Sequence, residues 1–474
     1  VLRALIYALM IAPGVVVMFI HSVIFFAGRR FKARFNPASH AEESKPGVSI
    51  IVPVKDEPEH IIIELVENLG NNLKEAGVEY EVLVVSDDSP DAIAGVKSKA
   101  EETAMRVGLK DFRFVVRTEG PKGRAGALNY GVLKSRHDLV LILDADSRIR
   151  ESTIPELVSC VESGHDVCVG KWVGYTYRKT KLGVSITHSM KYVVDALYRG
   201  RFNVGLMVFP LGTGTLYRRE ALVKVGLWEP DVIQDDMYMG TKLHGANCSV
   251  GFAEKAVIEV SVPSGFKAFT LQQSRWAYGA IETLRKGYVK HVLRKARRSS
   301  LLVVEGLIFL LQYLPLAGLA FSLLLVPVLS AFLHEDLMNL SPYILTLFVS
   351  MTFIYGTSLY KSIKELGLPR VRVLRSMGSI AAFSTSISPY ILLHSLKALA
   401  NNHITYVVTP KGSKERSLKG VRGVNGITLF TTYLITVTVV NLFLNNYYTA
   451  LWTLVFAAAN IYVILNAERP APLH

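Results

Sequence analysis

The apolar residues of this 474-residue chain are gathered into a few long runs, and those runs limit what it can fold into. Residues 2–28 (LRALIYALMIAPGVVVMFIHSVIFFAG) are nearly all apolar, long enough to cross a hydrocarbon layer of roughly 30 Å. The run exceeds the apolar core of a secretory signal and lacks its small-residue cleavage pattern. Further runs fall at 303–332, 342–360, 376–396, 427–445 and 448–466, and none lies between 46 and 270. The chain therefore reads as a water-soluble unit set between membrane segments. With 50% hydrophobic and 19% charged residues it is neither a disordered chain nor a coiled coil. Three cysteines (Cys160, Cys168, Cys248) with no CxxC spacing predict neither a disulfide framework nor a structural zinc site.

Basic residues mark the cytoplasmic side of short membrane loops. Arg29, Arg30, Lys32 and Arg34 follow the first run, and Arg285, Lys286, Lys290 and Arg294 precede the second, which places the soluble unit in the cytoplasm. The acidic loop 334–341 fits the outside, and Lys361, Lys364, Arg370, Arg372 and Arg375 bring the chain back. The run 376–396 has basic residues on both flanks and Ser384, Thr385, Ser386, Ser388 and Pro389 in its middle, so it is expected to be interfacial or re-entrant. Five spans remain, the N-terminus outside. The net charge of +14 is then membrane-surface charge, and no nucleic-acid partner is expected. The expected divisions are a transmembrane helix at 1–30, a cytoplasmic domain at 46–270, an amphipathic interfacial helix at 271–300, two transmembrane helices at 301–361, an interfacial or re-entrant helix at 376–400, a loop at 401–422 and two transmembrane helices at 427–466.

Within the soluble unit, strand-like runs at 48–54, 81–86, 112–117, 139–144 and 167–175 alternate with helical patterns at 59–76, 91–107 and 124–135. That alternation predicts a parallel sheet with helices on both faces, and ligands then bind beyond the carboxyl ends of the strands. Two of those ends carry paired acids, Asp87-Asp88 and Asp144-Ala145-Asp146. Residues two apart in an extended chain face the same side, so Asp144 and Asp146 can hold one divalent cation against a diphosphate, or form a solvated turn. Gln272, Arg275 and Trp276 share one helix face, as a sugar platform or as an interfacial anchor. Asp235-Asp236 is either a base site or an acidic helix start. His21, His188 and His244 lack metal-ligand spacing.

These motifs together resemble the processive, membrane-integrated family 2 glycosyltransferases, the cellulose, hyaluronan and related polysaccharide synthases. DDSPD (87–91) resembles the family's uridine-contacting acids, and DAD (144–146) its metal and diphosphate motif. KGRAGALNYG (122–131) is similar to KAGALN, with Arg124 where lysine is commoner; VPVKDEP (52–58) and GTGTLYRREAL (212–222) are looser likenesses. QDD (234–236) resembles TED, QQSRW (272–276) matches QxxRW, and YVVTPK (406–411) is similar to the FxVTxK gating loop. The resemblance implies a Rossmann-like α/β GT-A domain inserted into an α-helical transmembrane domain. It implies an inverting transferase of the hexosyltransferase class that polymerises a UDP-sugar into a β-linked polysaccharide and translocates it. Asp236 would be the general base; Asp144 and Asp146 would hold Mg2+ or Mn2+. Asp87, Asp88, Lys122, Arg124, Tyr406, Thr409 and Lys411 would line the nucleotide-sugar site, and Gln272, Gln273, Arg275 and Trp276 the acceptor site. The partners are then the donor, the growing polysaccharide and the bilayer, and any accessory export subunit would be a separate chain. Transfer of one sugar to a polyprenyl phosphate, and an inactive transport or scaffold protein, are the competing readings.

Overall fold

The computed structural model describes residues 7–8, 10–31, 46–74, 77–293, 300–404, 409–410, 415 and 422–471. Helix α1 (Ala12–Arg30) leads into an α/β domain. That domain runs β1 (Val48–Val54), α2 (Glu59–Leu73), β2 (Tyr80–Ser86), α3 (Pro90–Arg106), β3 (Phe112–Val116), α4 (Arg124–Lys134), β4 (Leu139–Ile142), β5 (Ser147–Ile149), α5 (Thr153–Glu162) and β6 (Val167–Tyr175). Helix α6 (Lys181–Val193) widens into a π-helical segment, Val194–Gly200, before β7 (Thr215–Arg218), α7 (Arg219–Val225), α8 (Asp235–Gly245) and β8 (Val250–Ser261). Helix α9 (Phe266–Thr283) follows and also ends π-helically. The remainder is helical: α10 (Ser300–Leu310), α11 (Leu314–Leu333), α12 (Pro342–Lys364), α13 (Arg370–Ser386), α14 (Ser388–Leu399), α15 (Arg422–Phe443) and α16 (Tyr447–Asn466).

Strand β1 is apolar on both faces because both are covered. Val48, Ile50 and Val52 pack with Ile61, Ile62 and Leu65 of α2. Ile51 turns the other way, to Ala127 and Leu128 of α4. The sheet order is β3-β2-β1-β4-β7-β6-β8-β5. The five expected strands are present, but the sheet is mixed, not parallel throughout. β7 runs antiparallel to both β4 and β6, and β5 antiparallel to β8. After β6 the chain leaves through α6 and returns in the opposite direction, so β7 enters reversed; its four residues carry little strand pattern of their own.

Two other expectations are corrected. Cys160 and Cys168 form a disulfide, because the turn from α5 into β6 folds back and brings their Cα atoms to 6.1 Å; Cys248 is buried and takes no part in it. The run 303–332 is also not one helix: it breaks between α10 and α11, where Pro315 stands at the start of the second. Among the described residues five helical stretches are long and apolar enough to cross a membrane: Ala12–Arg30, Leu314–Leu333, Pro342–Lys364, Gly426–Phe443 and Tyr447–Asn466. The run 376–396 falls on α13 and α14, which meet at Ile387, and neither qualifies.

The first long helix packs directly on the α/β domain. A Cβ on Gly28 would stand 2.4 Å from Gly200 Cα, so glycine there permits backbone contact between α1 and the π-helical segment. Beside it the buried Asp195 accepts from Lys191 Nζ at 2.6 Å and Ser362 Oγ of α12 at 2.6 Å, with Arg199 Nη2 at 3.2 Å. Arg201 pairs with Glu305 of α10 out of solvent. Since α13 and α14 fall short of a span, accessibility reporters at Lys364 and Lys397 should both report the same side of a membrane. Labels on opposite sides would show that this pair crosses the membrane.

Candidate active site

The carboxyl ends of β1, β2 and β4 meet at one edge of the sheet, and the acids after them divide into two kinds. Asp88 braces strand ends: its Oδ1 accepts from Asp56 N at 2.9 Å and its Oδ2 from Ser86 Oγ at 2.9 Å. Asp56 has φ +53°, a left-handed conformation for a residue with a side chain, and this bond helps hold it. Asp87 is bound bidentately by Arg117, Nε to Oδ1 and Nη2 to Oδ2 both at 2.8 Å, and accepts from Gly123 N at 2.7 Å. Both side chains of the pair are closed to solvent. The pair shapes the loop before α4, whose Gly123 has φ +96°. Asp87 and Lys122 line the cavity described below; Asp88 does not. Arg117 was not apparent from the sequence, where a single arginine after a strand carries no pattern.

The second kind faces the cavity. After β4, Asp144 N donates to Thr213 Oγ1 at 3.0 Å, and the backbone oxygen of Asp146 accepts from Tyr175 OH at 2.7 Å. These bonds fix the DAD turn from two other segments. Arg124, the first residue of α4, joins what surrounds it: Nη1 donates to Asp235 Oδ2 at 2.6 Å, Nη2 to Asp144 Oδ1 at 3.2 Å, and Nη2 also to the Gly212 carbonyl. A Cβ on Gly212 would stand 3.1 Å from Asp236 Oδ2 and 3.5 Å from Arg124 Nη2, so the glycine allows this closeness.

Asp235 and Asp236 open α8, and Met237 N donates to Asp236 Oδ1 at 2.7 Å. Burial, and next the like charge of Asp235, push the Asp236 carboxyl up to about 6, although Arg124 pulls the other way. A carboxylate with that value can accept a proton near neutral pH.

Helix α9 covers this edge. A Cβ on Gly279 would stand 2.4 Å from Gln234 Cβ, and a Glu282 oxygen accepts from Ile233 N at 2.8 Å, so the helix lies against the QDD loop. Tyr313 OH donates to Gln273 Oε1 at 3.2 Å. One cavity of about 1250 Å³ is lined by Asp87, Lys122, Arg124, Asp144, Asp146, Asp235 and Asp236 and by Gln272, Gln273, Arg275 and Trp276. It continues past Ile186, Met190, Leu316, Ile380 and Phe383 of α6, α11 and α13. Thr409 is buried and lines the cavity; Tyr406 and Lys411 lie outside the described residues.

Asp144 and Asp146 offer hard oxygen ligands on one turn, which fits Mg2+ or Mn2+. Among the described residues no group of three or more His, Cys, Asp and Glu side chains is placed to hold a metal.

Comparison with known proteins bears on this site. Residues 49–226 match the model for "Glycosyl transferase family 2", and residues 139–359 that for "Glycosyl transferase family group 2". A protein described as a probable glycosyltransferase of Sulfolobus acidocaldarius is 32% identical over 428 residues, 89% of each chain. A poly-beta-1,6-N-acetyl-D-glucosamine synthase of Staphylococcus aureus is 26% identical over 295 residues, 61% of this chain and 68% of its own. Among solved structures, a mannosyltransferase from Pyrobaculum calidifontis in complex with GDP-Man and Mn2+ aligns with a TM-score of 0.49 at 17% identity, over 84% of this chain and 100% of that one.

The raised carboxyl of Asp236 gives a pH prediction. If Asp236 serves as a base it works only when deprotonated, so kcat/KM should be full well above pH 6 and fall about tenfold per pH unit below it. Asp235→Asn removes a neighbouring negative charge, which should move that acidic limb to lower pH. A limb that stays put, or moves up, would detach it from Asp236.

Proposed function

Because the chain belongs to glycosyl transferase family 2, we propose that it is an inverting, membrane-integrated enzyme that builds a β-linked polysaccharide from a UDP-sugar and passes the product through its own membrane helices. Transfer of sugar from a nucleotide-sugar donor follows from the family; the polymer, its linkage and its translocation are the reading argued here. The observation that supports it is the single cavity joining the DAD turn, Asp236 and the QQSRW face and continuing between α6, α11 and α13.

In this reading Asp144 and Asp146 hold the divalent cation, which would neutralise charge developing on the leaving diphosphate. Arg124 and Lys122 add positive charge on the same side. Asp236 takes the proton of the acceptor hydroxyl as its oxygen bonds to the anomeric carbon, the bond from that carbon to the diphosphate breaks, and one direct displacement inverts the centre. Trp276 presents an aromatic face to the terminal sugar, while Gln272, Gln273 and Arg275 supply hydrogen bonds. Asp87 and Asp88 shape the nucleotide end through Arg117, Gly123 and Asp56. Tyr406, Thr409 and Lys411 join that end by their likeness to the gating loop. The enzyme would sit in the cell membrane with its α/β domain in the cytoplasm.

A second reading, transfer of one sugar to a polyprenyl phosphate, is favoured by the aliphatic side chains in the lining of the cavity. The inactive scaffold reading falls away, since the family is one of enzymes and Asp144, Asp146 and Asp236 are together in the cavity.

The test is purified protein in detergent with a panel of UDP- and GDP-sugars and Mg2+ or Mn2+, read by UDP or GDP release and by product length. A ladder of long products is expected with a UDP-sugar. EDTA and Asp146→Asn should each nearly abolish turnover, and full activity in EDTA would remove the metal role of the DAD pair. Trp276→Ala should bind UDP normally and make little long product. If the wild type adds a single sugar, the polymer reading fails and the lipid acceptor takes its place.

A further inference from the structure

Helix α9 carries all four acceptor-side residues, yet its own sequence gives it no cap. Gly265 stands at the N-cap with extended backbone and no side chain to accept from the first free N–H groups. The two residues that lead into the helix, Ser264 and the N-cap Gly265, are instead held by a side chain about 150 residues further along. Glu415 Oε1 accepts from Ser264 N at 2.8 Å and Gly265 N at 2.6 Å, and Oε2 from Ser264 Oγ at 2.6 Å. Glu415 is 8% exposed and lines the cavity. A Cβ on Gly265 would stand 3.3 Å from Glu415 Oε1, 3.3 Å from Glu468 Oε1 and 3.6 Å from Arg178 Nη2, so a residue with its own capping side chain would crowd all three. At its other end α9 is held by Glu282 to Ile233 N and by Gly279 against Gln234, beside Asp236.

The geometry points to Glu415 as a positioning residue of the acceptor site: by anchoring Ser264 and the N-cap Gly265, where the chain enters α9, it sets where Gln272, Gln273, Arg275 and Trp276 stand relative to Asp236. A helix is stiff along its axis, so a shift at Ser264 reaches Trp276 about three turns on. A buried carboxylate accepting three bonds also opposes the positive end of the helix dipole, and its removal leaves buried N–H groups unpaired. Glutamine can keep much of this: its amide oxygen can accept from both N–H groups while the Ser264 hydroxyl turns to accept from the amide nitrogen. Alanine keeps none of it.

The inference rests on the proposed acceptor role of the QQSRW face, and its test has one arm that does not. In hydrogen exchange, Glu415→Ala should lose protection along α9 from Ser264 through Trp276, while β1 and α4 stay as in the wild type. Deprotection confined to Ser264 and Gly265 would overturn the inference, because the cap would then be local. In turnover, with the donor the wild type uses and fragments of its own product as the acceptor probe, Glu415→Ala should raise the acceptor KM at least fivefold and leave the donor KM within twofold. Glu415→Gln should lie within threefold of wild type on both. Equal losses in the two variants, or a donor KM that rises with the acceptor KM, would also overturn it. Extended deprotection with an unmoved acceptor KM would instead refute the acceptor role of the QQSRW face.

Discussion

One guanidinium holds the catalytic edge together. Asp144, Asp146, Asp235 and Asp236 come from two segments far apart in sequence and line the same cavity. Like charges brought this close repel one another, and a cation set among them offsets that repulsion. Arg124 bonds to Asp144, to Asp235 and to the Gly212 carbonyl, so it ties the end of β4, the loop before β7 and the start of α8 to the first residue of α4. The pairing also divides the acids by role. Asp235 pairs with Arg124, whereas the carboxyl of Asp236, which accepts from Met237 N, stays raised, as the base proposed above requires.

The same economy joins the α/β domain to the helices around it. The segment Val194–Gly200 contributes Val194, Leu197 and Tyr198 to the cavity wall on one side. On the other it meets α1 at Gly28 and α12 through Asp195 and Ser362. Close by, the buried Arg201–Glu305 pair fastens α10. Breaking such a pair from one side leaves a charge without its partner and costs about 3–5 kcal/mol. The cavity therefore has walls from both parts of the molecule, and its shape depends on contacts that neither part could make alone.

What was legible in the sequence was local. Runs such as VSIIVPV and LVLI announce buried strands, DAD and QDD place acids at element ends, and QQSRW sits on one helix with its face readable from spacing. What was hidden depends on partners distant along the chain. The reversal of β7 is set by where the chain returns after α6, and β5 has only three residues to show a pattern. Arg117 gains its role from Asp87, thirty residues earlier, and Glu415 from two backbone N–H groups that no side-chain motif records. The cysteine count argued against a disulfide because it takes no account of the turn that brings Cys160 to Cys168.

The central claim is that Asp236 is the base and that its neighbours serve binding. Asp236→Asn keeps the shape and much of the hydrogen bonding of the carboxylate while removing the proton acceptor. Sugar transfer by this variant should be slower by roughly 10²–10⁴-fold, with UDP affinity, measured by calorimetry on the same preparation, within about twofold of wild type. Transfer at the wild-type rate would contradict the account and move the base elsewhere, with Asp235 the first alternative.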